Sequence, residues 1–133
     1  MDNFAFAGAS EPIAHFKAYR FAVREDFPQT EPGFLLPPSG DNLLALLISN
    51  KDIRTAINEP FTSVGLRLNL RQHDHRIELV KSLEDVFVSY PYSLASETLQ
   101  RFTFYQAAFL SNKDSVLVIE EPESHSFPGY VHQ

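Results

Sequence analysis

The sequence predicts one mixed α/β domain, in which a small antiparallel sheet and several helices accompany a single buried strand. Short segments with period-two alternation recur between turn residues, as in strands. Two other segments carry apolar residues at helical spacing. The continuous apolar run VLVI at residues 116–119 is typical of a strand that is covered on both faces of its sheet. The length of 133 residues fits one domain.

Composition and charge exclude several classes of protein. A formal net charge of −6 argues against a free-standing nucleic-acid binder, because phosphate contacts require a basic face. The absence of cysteine excludes a disulfide framework and a thiolate metal site. The first residues do not resemble a secretory signal peptide, and no apolar run approaches the ~18 residues of a membrane helix. We therefore expect a cytoplasmic protein that does not enter a membrane.

The N-terminal part of the chain predicts a strand and a long loop. Residues 15–23 alternate between two sets of side chains, one of them mainly aromatic, which indicates a strand. Residues 24–40 contain four prolines and two glycines, which indicates an extended loop.

A helix is predicted to follow this loop. Apolar residues recur at helical spacing over residues 43–57, and either Asp41 or Asn42 can cap the start. The polar residues 49–52 interrupt the pattern and can divide the helix in two. Pro60 is expected to end it.

Three short strands are predicted next. Residues 66–71 and 76–83 alternate between apolar and polar side chains, with a polar turn at residues 73–75 between them. Residues 86–90 form a third apolar segment. Because the connections are short, the strands are expected to form an antiparallel meander.

A second helix and a last strand complete the prediction. Ser96 is a good N-cap for a helix over residues 97–110, and an acid follows it in the first turn, near the positive helix end. The apolar residues on one stripe of this helix are Leu99, Phe102, Tyr105, Ala108 and Phe109. Residues 115–119 form the strand that we expect to be buried on both faces.

Two neighbouring acids, Glu120 and Glu121, directly follow this last strand. Open α/β sheets bind ligands at the carboxyl ends of their strands. One carboxylate there can hold a hydrated Mg²⁺ ion, and the other can orient a water molecule for phosphoryl transfer. An acidic surface turn accounts for the bare pattern equally well, because apolar runs followed by acids are common.

The whole stretch VLVIEEPESHSFP, residues 116–128, resembles the Walker B and D-loop region of ABC-type AAA ATPases. It looks most like the bacterial and archaeal group related to the overcoming-lysogenization-defect proteins and to ATPases of recombination and chromosome maintenance. Residues 37–43, 90–94 and 96–101 resemble segments of that family in the same order. The likeness covers roughly residues 15–133.

This resemblance implies a P-loop NTPase fold of the ABC-ATPase type and assigns roles to individual residues. Glu120 matches the magnesium ligand, and Glu121 matches the catalytic glutamate. Residues 94–101 lie where the family has the signature segment that caps a nucleotide bound by the opposite subunit. The segment after Glu121 matches the start of the D-loop. The residues implied at the nucleotide are Ser93, Ser96, Glu97, Thr98 and His125.

The sequence departs from the family pattern at two places. Ser96 and Glu97 replace the two signature glycines, and a carboxylate near a phosphate is repulsive, so Glu97 must turn aside or the cap is weak. A P-loop motif, GxxxxGK[ST], is also missing: none of the five glycines is followed by lysine. The chain also stops before the strand and switch histidine that the family places next.

These departures predict a partial ATPase domain over residues 1–133. It comprises a strand and proline-rich loop (1–40), a helical and small-sheet lobe (41–92), and the signature-like helix with the Walker B strand (93–133). Mg²⁺ and ATP are cofactors of the complete enzyme, and the chain alone should not hydrolyse ATP. Unpaired strand edges predict self-association or pairing with a companion chain that supplies the P-loop. Nucleic acid would be contacted only through the complete assembly.

Alternatives to this interpretation remain open. The chain can instead be a non-catalytic interaction module that docks on a partner ATPase or nuclease. His73 and His75 could bind a metal together with His132 or an acid, but a polar hairpin turn explains them better. Neither Ser93 nor Ser96 lies in the G-x-S-x-G sequence of a hydrolase nucleophile.

Overall fold

The computed structural model describes residues 15–31 and 33–121, except for the side chain of His15. Five strands, three helices and a short 3₁₀ turn alternate along this part of the chain. In order, they are β1 (His15–Arg20), α1 (Leu43–Ser49), α2 (Lys51–Thr62), β2 (Leu66–Arg71), β3 (Arg76–Leu83), β4 (Val86–Pro91), the 3₁₀ turn (Tyr92–Leu94), α3 (Glu97–Ser111) and β5 (Ser115–Glu120).

The strands form two separate sheets. β2, β3 and β4 form an antiparallel meander, as the short connections predict. β1 and β5 form a parallel pair, in which Phe16 lies opposite Val116 and Arg20 lies opposite Glu120. The mixed α/β class and the small antiparallel sheet are therefore confirmed.

The break between the first two helices has a local cause. Asn50 ends α1 with an extended backbone and caps α2, because its side-chain oxygen accepts a hydrogen bond of 3.0 Å from the Ile53 N–H. This divides the predicted helix at residues 49–52. The prediction that Pro60 ends the helix was wrong, since α2 continues to Thr62. A proline this close to the end of a helix removes only one backbone donor.

The hydrophobic core lies between the helices, the inner face of the β2–β3–β4 sheet and the long loop. Tyr19 of β1 and Phe104 of α3 pack edge to face, with ring centroids 6.0 Å apart. The Tyr19 hydroxyl donates a hydrogen bond to the Leu35 carbonyl and accepts one of 3.0 Å from Asn112. The other fully buried large apolar side chains are Leu35, Leu46, Leu47, Ile57, Phe61, Ile77 and Leu79.

The buried face of α3 differs from the predicted apolar stripe. Phe102 and Phe109 of that stripe are 37% and 55% exposed. Two polar residues share the buried face with apolar ones, and one of them, Gln100, donates through its amide to the carbonyls of Ser93 and Ala95. The buried residues of α3 are Gln100, Thr103, Phe104, Ala107 and Ala108.

β5 is not buried on both faces, contrary to its apolar sequence. Its side chains alternate between partly buried and exposed, and Val116 and Val118 are 43% and 41% exposed. Within the described residues, β5 pairs only with β1, and α3 and the loop cover one face of the pair. Phe16 of β1, 69% exposed, lies on the same open face.

Candidate functional site

The two acids of interest lie at one end of the β1–β5 pair. Because β1 and β5 are parallel, their carboxyl ends meet at the same edge, where Glu120 lies opposite Arg20. Glu120 is the last residue of β5, and Glu121 follows it directly. This is the edge at which open α/β sheets place ligands.

The carboxylates of these acids lie on opposite sides of the strand. Successive side chains of a strand point to opposite faces. Glu120 therefore shares the exposed face with Val116 and Val118, whereas Glu121 contacts α3. The Arg101 Nη1 donates to Glu121 Oε1 at 2.8 Å, and the Tyr105 hydroxyl donates to Oε2 at 2.8 Å.

Arg101 connects Glu121 to the start of α3. Its Nε and Nη2 also donate to one carboxylate oxygen of Glu97, one turn earlier, at 3.0 and 2.7 Å. The guanidinium carbon lies 4.8 Å from the ring centroid of Phe21. Burial by itself lowers the pKa of Arg101, but the hydrogen bond to Glu97 and the charges of Glu121 and Glu97 outweigh it and raise that pKa. The cation is thus fixed between two carboxylates.

The Tyr105 hydroxyl remains protonated and donates its hydrogen bond to Glu121 over a wide pH range. Burial, followed by the hydrogen bond to Glu121 and its negative charge, raises the pKa of Tyr105 to about 12. At neutral pH the phenol is therefore protonated, and the carboxylate accepts its hydrogen bond.

The predicted signature residues begin α3. Ser96 is the N-cap, and its hydroxyl accepts a hydrogen bond of 3.2 Å from the Leu99 N–H. The Glu97 side chain points along the helix toward Arg101. Of the two alternatives given above for this carboxylate, a side chain that turns aside or a weak cap, the structure has the first. Thr98 is exposed in the first turn, and Ser93 lies in the 3₁₀ turn.

The structure brings some of the predicted residues together and separates others. Glu97 and Glu121 share Arg101, whereas Glu120 lies on the opposite face of β5. His125 lies outside the described residues. Sequence reasoning missed Arg101 and Tyr105 as partners of the acids. Their spacing from residue 97, four and eight positions, places all three side chains on one helix face and could have indicated the cluster.

The described residues offer part of what Mg²⁺ and ATP need. Proteins bind Mg²⁺ in phosphoryl-transfer sites through one or two carboxylates, with water and the substrate phosphates as the other ligands. Glu120 fits such a single carboxylate at the sheet edge. No group of three or more metal-binding side chains exists in residues 15–31 and 33–121. The phosphate cradle of a P-loop is missing from the sequence itself.

The histidine turn lies elsewhere in the fold. His73 and His75 are exposed in the connection between β2 and β3, and the His75 carbonyl accepts a hydrogen bond of 2.7 Å from the Phe27 N–H. This supports the interpretation as a hairpin turn. Both histidines border a cavity of about 470 Å³ between the loop, α1 and the turn. Its other lining residues are Phe27, Gln29, Thr30, Leu44, Ala45, Ile48, Ser49 and Gln72.

Comparison with known proteins finds no matching family model, no similar curated protein and no similar solved structure. In the part of the chain that the structure describes, every helix is too short or too polar to cross a membrane.

Proposed function

We propose that this chain supplies the Walker B strand and the signature helix of an ABC-type AAA ATPase with a P-loop NTPase fold. One observation carries the proposal: Arg101 and Tyr105 of α3 bind Glu121 at the carboxyl edge of a parallel strand pair. The helix that resembles the signature segment and the strand that resembles Walker B are thereby joined at the edge where such sheets bind ligands.

In this proposal Glu120 is the magnesium ligand and Glu121 is the general base. Mg²⁺ bound with ATP supplies charge neutralisation at the phosphates. Glu120 carries an exposed carboxylate at the end of β5, so that it can reach an ion at the sheet edge. Glu121 is 58% exposed and accessible to water.

The contacts of Glu121 are compatible with this role. An ionised carboxylate offers about four lone-pair positions. Arg101 and Tyr105 use one position on each oxygen, so the carboxylate can still accept a hydrogen bond from a water molecule. The two side chains are then positioning residues that fix the direction of the base.

The nucleotide site is composite in this proposal. None of the 133 residues forms a P-loop, so the backbone N–H groups and lysine that hold the phosphates lie outside these residues, in this proposal on a companion chain. Ser93, Ser96 and Thr98 contribute hydroxyls near the start of α3, where the helix dipole favours an anion. Contacts with nucleic acid belong to the complete assembly.

The test combines binding and turnover. We expect the isolated chain with Mg²⁺ to bind ATP with a dissociation constant above about 1 mM. For the turnover assay, a P-loop reading frame upstream of this gene is co-expressed with it, and ATP hydrolysis by the purified complex is measured. Glu121→Gln should reduce ATP turnover by at least about 100-fold while nucleotide binding is retained. The control Glu84→Gln, in the exposed β3–β4 turn, should leave both unchanged. Micromolar ATP binding by the isolated chain, or equal turnover by Glu121→Gln, would refute the proposal.

A second candidate is an interaction module without catalysis, and the open face of the β1–β5 pair favours it. Phe16, Val116 and Val118 form an exposed apolar surface there. For such a module, Phe16→Asp should abolish docking on the companion chain, whereas Glu121→Gln should leave the turnover of the complex unchanged. The ATPase proposal requires the opposite result for Glu121→Gln.

A further inference from the structure

Other parts of the chain contact the outer edges of two strands, each through one backbone N–H. An edge strand presents unpaired N–H and C=O groups, to which another strand can bind. On β1, the Arg20 N–H donates to the Pro38 carbonyl of the loop at 2.8 Å. On β2, the Leu68 N–H points to the Asn58 side-chain oxygen of α2 at 3.4 Å, and the neighbouring Arg67 is exposed.

The outer edge of β4 is open within the described residues. β4 is the last strand of its sheet, and its neighbours along the chain, from β3 through α3, all belong to the described part. Residues 86–90, VFVSY, contain no charge, proline or glycine. Val86, Phe87 and Val88 are 60%, 76% and 36% exposed. Pro91, the last residue of β4, is a feature that protects edge strands, but it lies outside this segment.

The apolar row on β4 continues the core face of the sheet. The antiparallel register places Tyr90 opposite the fully buried Leu79, and Val86 opposite Leu83. Val88 lies between Tyr90 and Val86 on the same face, because side chains alternate along the strand. On β3, Lys81 lies opposite Val88 on this same face and is exposed. The exposed part of the core side therefore consists of the apolar side chains of β4 with one ammonium group beside Val88.

We propose that two copies of this chain pair through β4, antiparallel across a two-fold axis, and form a continuous six-stranded sheet. In a register centred on Val88, Val86 faces the Tyr90 of the second copy and Phe87 faces its Ser89. The direct pairs on the core face are thus β-branched with aromatic and β-branched with β-branched, which stabilise antiparallel sheets. The two Phe87 rings become diagonal neighbours on the other face.

A second copy of the chain is the partner that the edge favours. The segment is complementary to itself, and a two-fold interface closes without leaving a free edge. Parallel pairing in register would instead align Glu84 and Asp85 with the same acids of the other copy. The antiparallel arrangement places these acids at opposite ends of the interface. This interface does not depend on the proposed ATPase role.

Sedimentation velocity over about 1 to 300 µM protein tests the proposal. One strand edge makes a small interface, so a dissociation constant in the micromolar range is expected. The wild-type mass should rise with concentration from 15.1 kDa toward twice that value. Val88→Lys should remain monomeric, because two ammonium groups would meet at the axis. Val64→Lys, which places the same side chain at an exposed valine after α2, should associate as the wild type does. Far-UV circular dichroism checks that each variant is folded.

A charge-swap pair makes the test specific for the two-fold register. Val88→Lys should be monomeric alone, because Lys81 lies beside position 88 in each copy and adds to the repulsion at the axis. An equimolar mixture of Val88→Lys and Val88→Glu should form a heterodimer. A wild-type chain that stays monomeric at the highest concentration would overturn the proposal. So would a wild-type dimer that Val88→Lys leaves intact and Val118→Lys, on β5, dissociates. A mixture of the two charged variants that fails to associate would exclude this register.

Discussion

Arg101 and Glu121 form an ion pair of 2.8 Å that joins the middle of α3 to the end of β5. The same guanidinium binds Glu97 one turn back and lies over the ring of Phe21. The pair therefore connects three elements that are distant in sequence. The Glu121 carboxylate is held on the α3 side of β5, whereas Glu120 lies on the other side because successive side chains of a strand alternate.

Replacing Arg101 should destabilise the protein moderately. Exposed ion pairs contribute at most about 1 kcal/mol each, and a cation–π contact at an exposed site contributes about 0.5–1 kcal/mol. We expect Arg101→Gln to lower the free energy of unfolding by about 1 kcal/mol, as measured by urea denaturation. Most of this loss should disappear at 1 M NaCl if the ion pairs dominate, because salt screens exposed charges.

Two further variants identify the origin of that loss. Arg101→Lys keeps the charge but not the planar fork, and should lose less stability than Arg101→Gln. A double-mutant cycle with Glu121→Gln should give a coupling free energy of about 0.5 kcal/mol. A coupling of zero would show that Arg101 stabilises the fold through Glu97, Phe21 or packing rather than through Glu121.

Stability should fall as the pH rises above 10, because several tyrosines resist ionisation in the folded state. Burial raises the pKa of Tyr19, Tyr92 and Tyr105 above the ordinary value of 10.0. Between that value and the folded-state pKa, the unfolded chain loses protons that the native state keeps. The contribution of these tyrosines to the free energy of unfolding is therefore fully present below pH 10 and decreases at higher pH.

Tyr105→Phe tests one part of this pH dependence. The pKa of Tyr105 is raised to about 12, so its contribution is lost progressively between pH 10 and 12. Relative to the difference at pH 8, the wild type should lose about 1 kcal/mol more than the variant by pH 11.5, after solvent screening is allowed for. Urea midpoints across this range measure the difference. Parallel pH profiles for the two proteins would contradict the assignment.

Local signals in the sequence predicted most of the elements. The polar residues 49–52 correctly indicated a break, since Asn50 both ends α1 and caps α2. The alternation in β2 and β3 and their short turns led to the antiparallel meander. Ser96 was correctly identified as the N-cap of α3. Each of these features depends on neighbours a few residues away, which a sequence displays directly.

Features that depend on distant neighbours were harder to predict. Residues 116–119 of β5 are all apolar, but their burial depends on what covers each face, and the part of the chain that the structure describes covers only one face. The buried face of α3 combines Phe104, Ala107 and Ala108 with two polar residues, Gln100 and Thr103, which hydrophobic spacing alone does not select. The position of Glu121 was predicted, but its binding to Arg101 and Tyr105 was not. An ion pair between residues twenty positions apart leaves no periodic pattern.

Asn42 should be among the polar residues most sensitive to substitution. Its side chain is fully buried and ties the loop to the start of α1. The Asn42 Oδ1 accepts a hydrogen bond of 2.8 Å from the Leu36 N–H, and its Nδ2 donates to the Phe34 carbonyl at 2.9 Å and to the Glu31 carbonyl. Asn42→Ala leaves three backbone groups without partners, which should cost about 3 kcal/mol.

Thermal or urea denaturation of two asparagine variants checks this expectation. Asn69→Ala is the control, because Asn69 is exposed and makes only a 3.4 Å contact with Glu78. Its free energy of unfolding should change by less than about 0.5 kcal/mol. Similar losses for both variants would mean that the loop is not held by the Asn42 side chain.

Alanine variants of two glycines with positive φ distinguish the cost of backbone strain from the cost of steric contact. Gly40 has φ of 76° and Gly65 has φ of 83°, so alanine is strained at both positions. A Cβ at Gly40 would lie 3.1 Å from the Phe104 ring and 3.2 Å from Leu35, whereas nothing lies within 4 Å of a Cβ at Gly65. Gly65→Ala should therefore cost about 1 kcal/mol, from strain alone. Gly40→Ala should cost about 1–3 kcal/mol more, because the added methyl group overpacks the core beside Phe104.

Urea denaturation of both alanine variants measures the difference between their free energies of unfolding. Gly65→Asn should recover part of the smaller loss, since asparagine tolerates positive φ. Equal losses for the two alanine variants would show that the loop can move away from Phe104 at little cost.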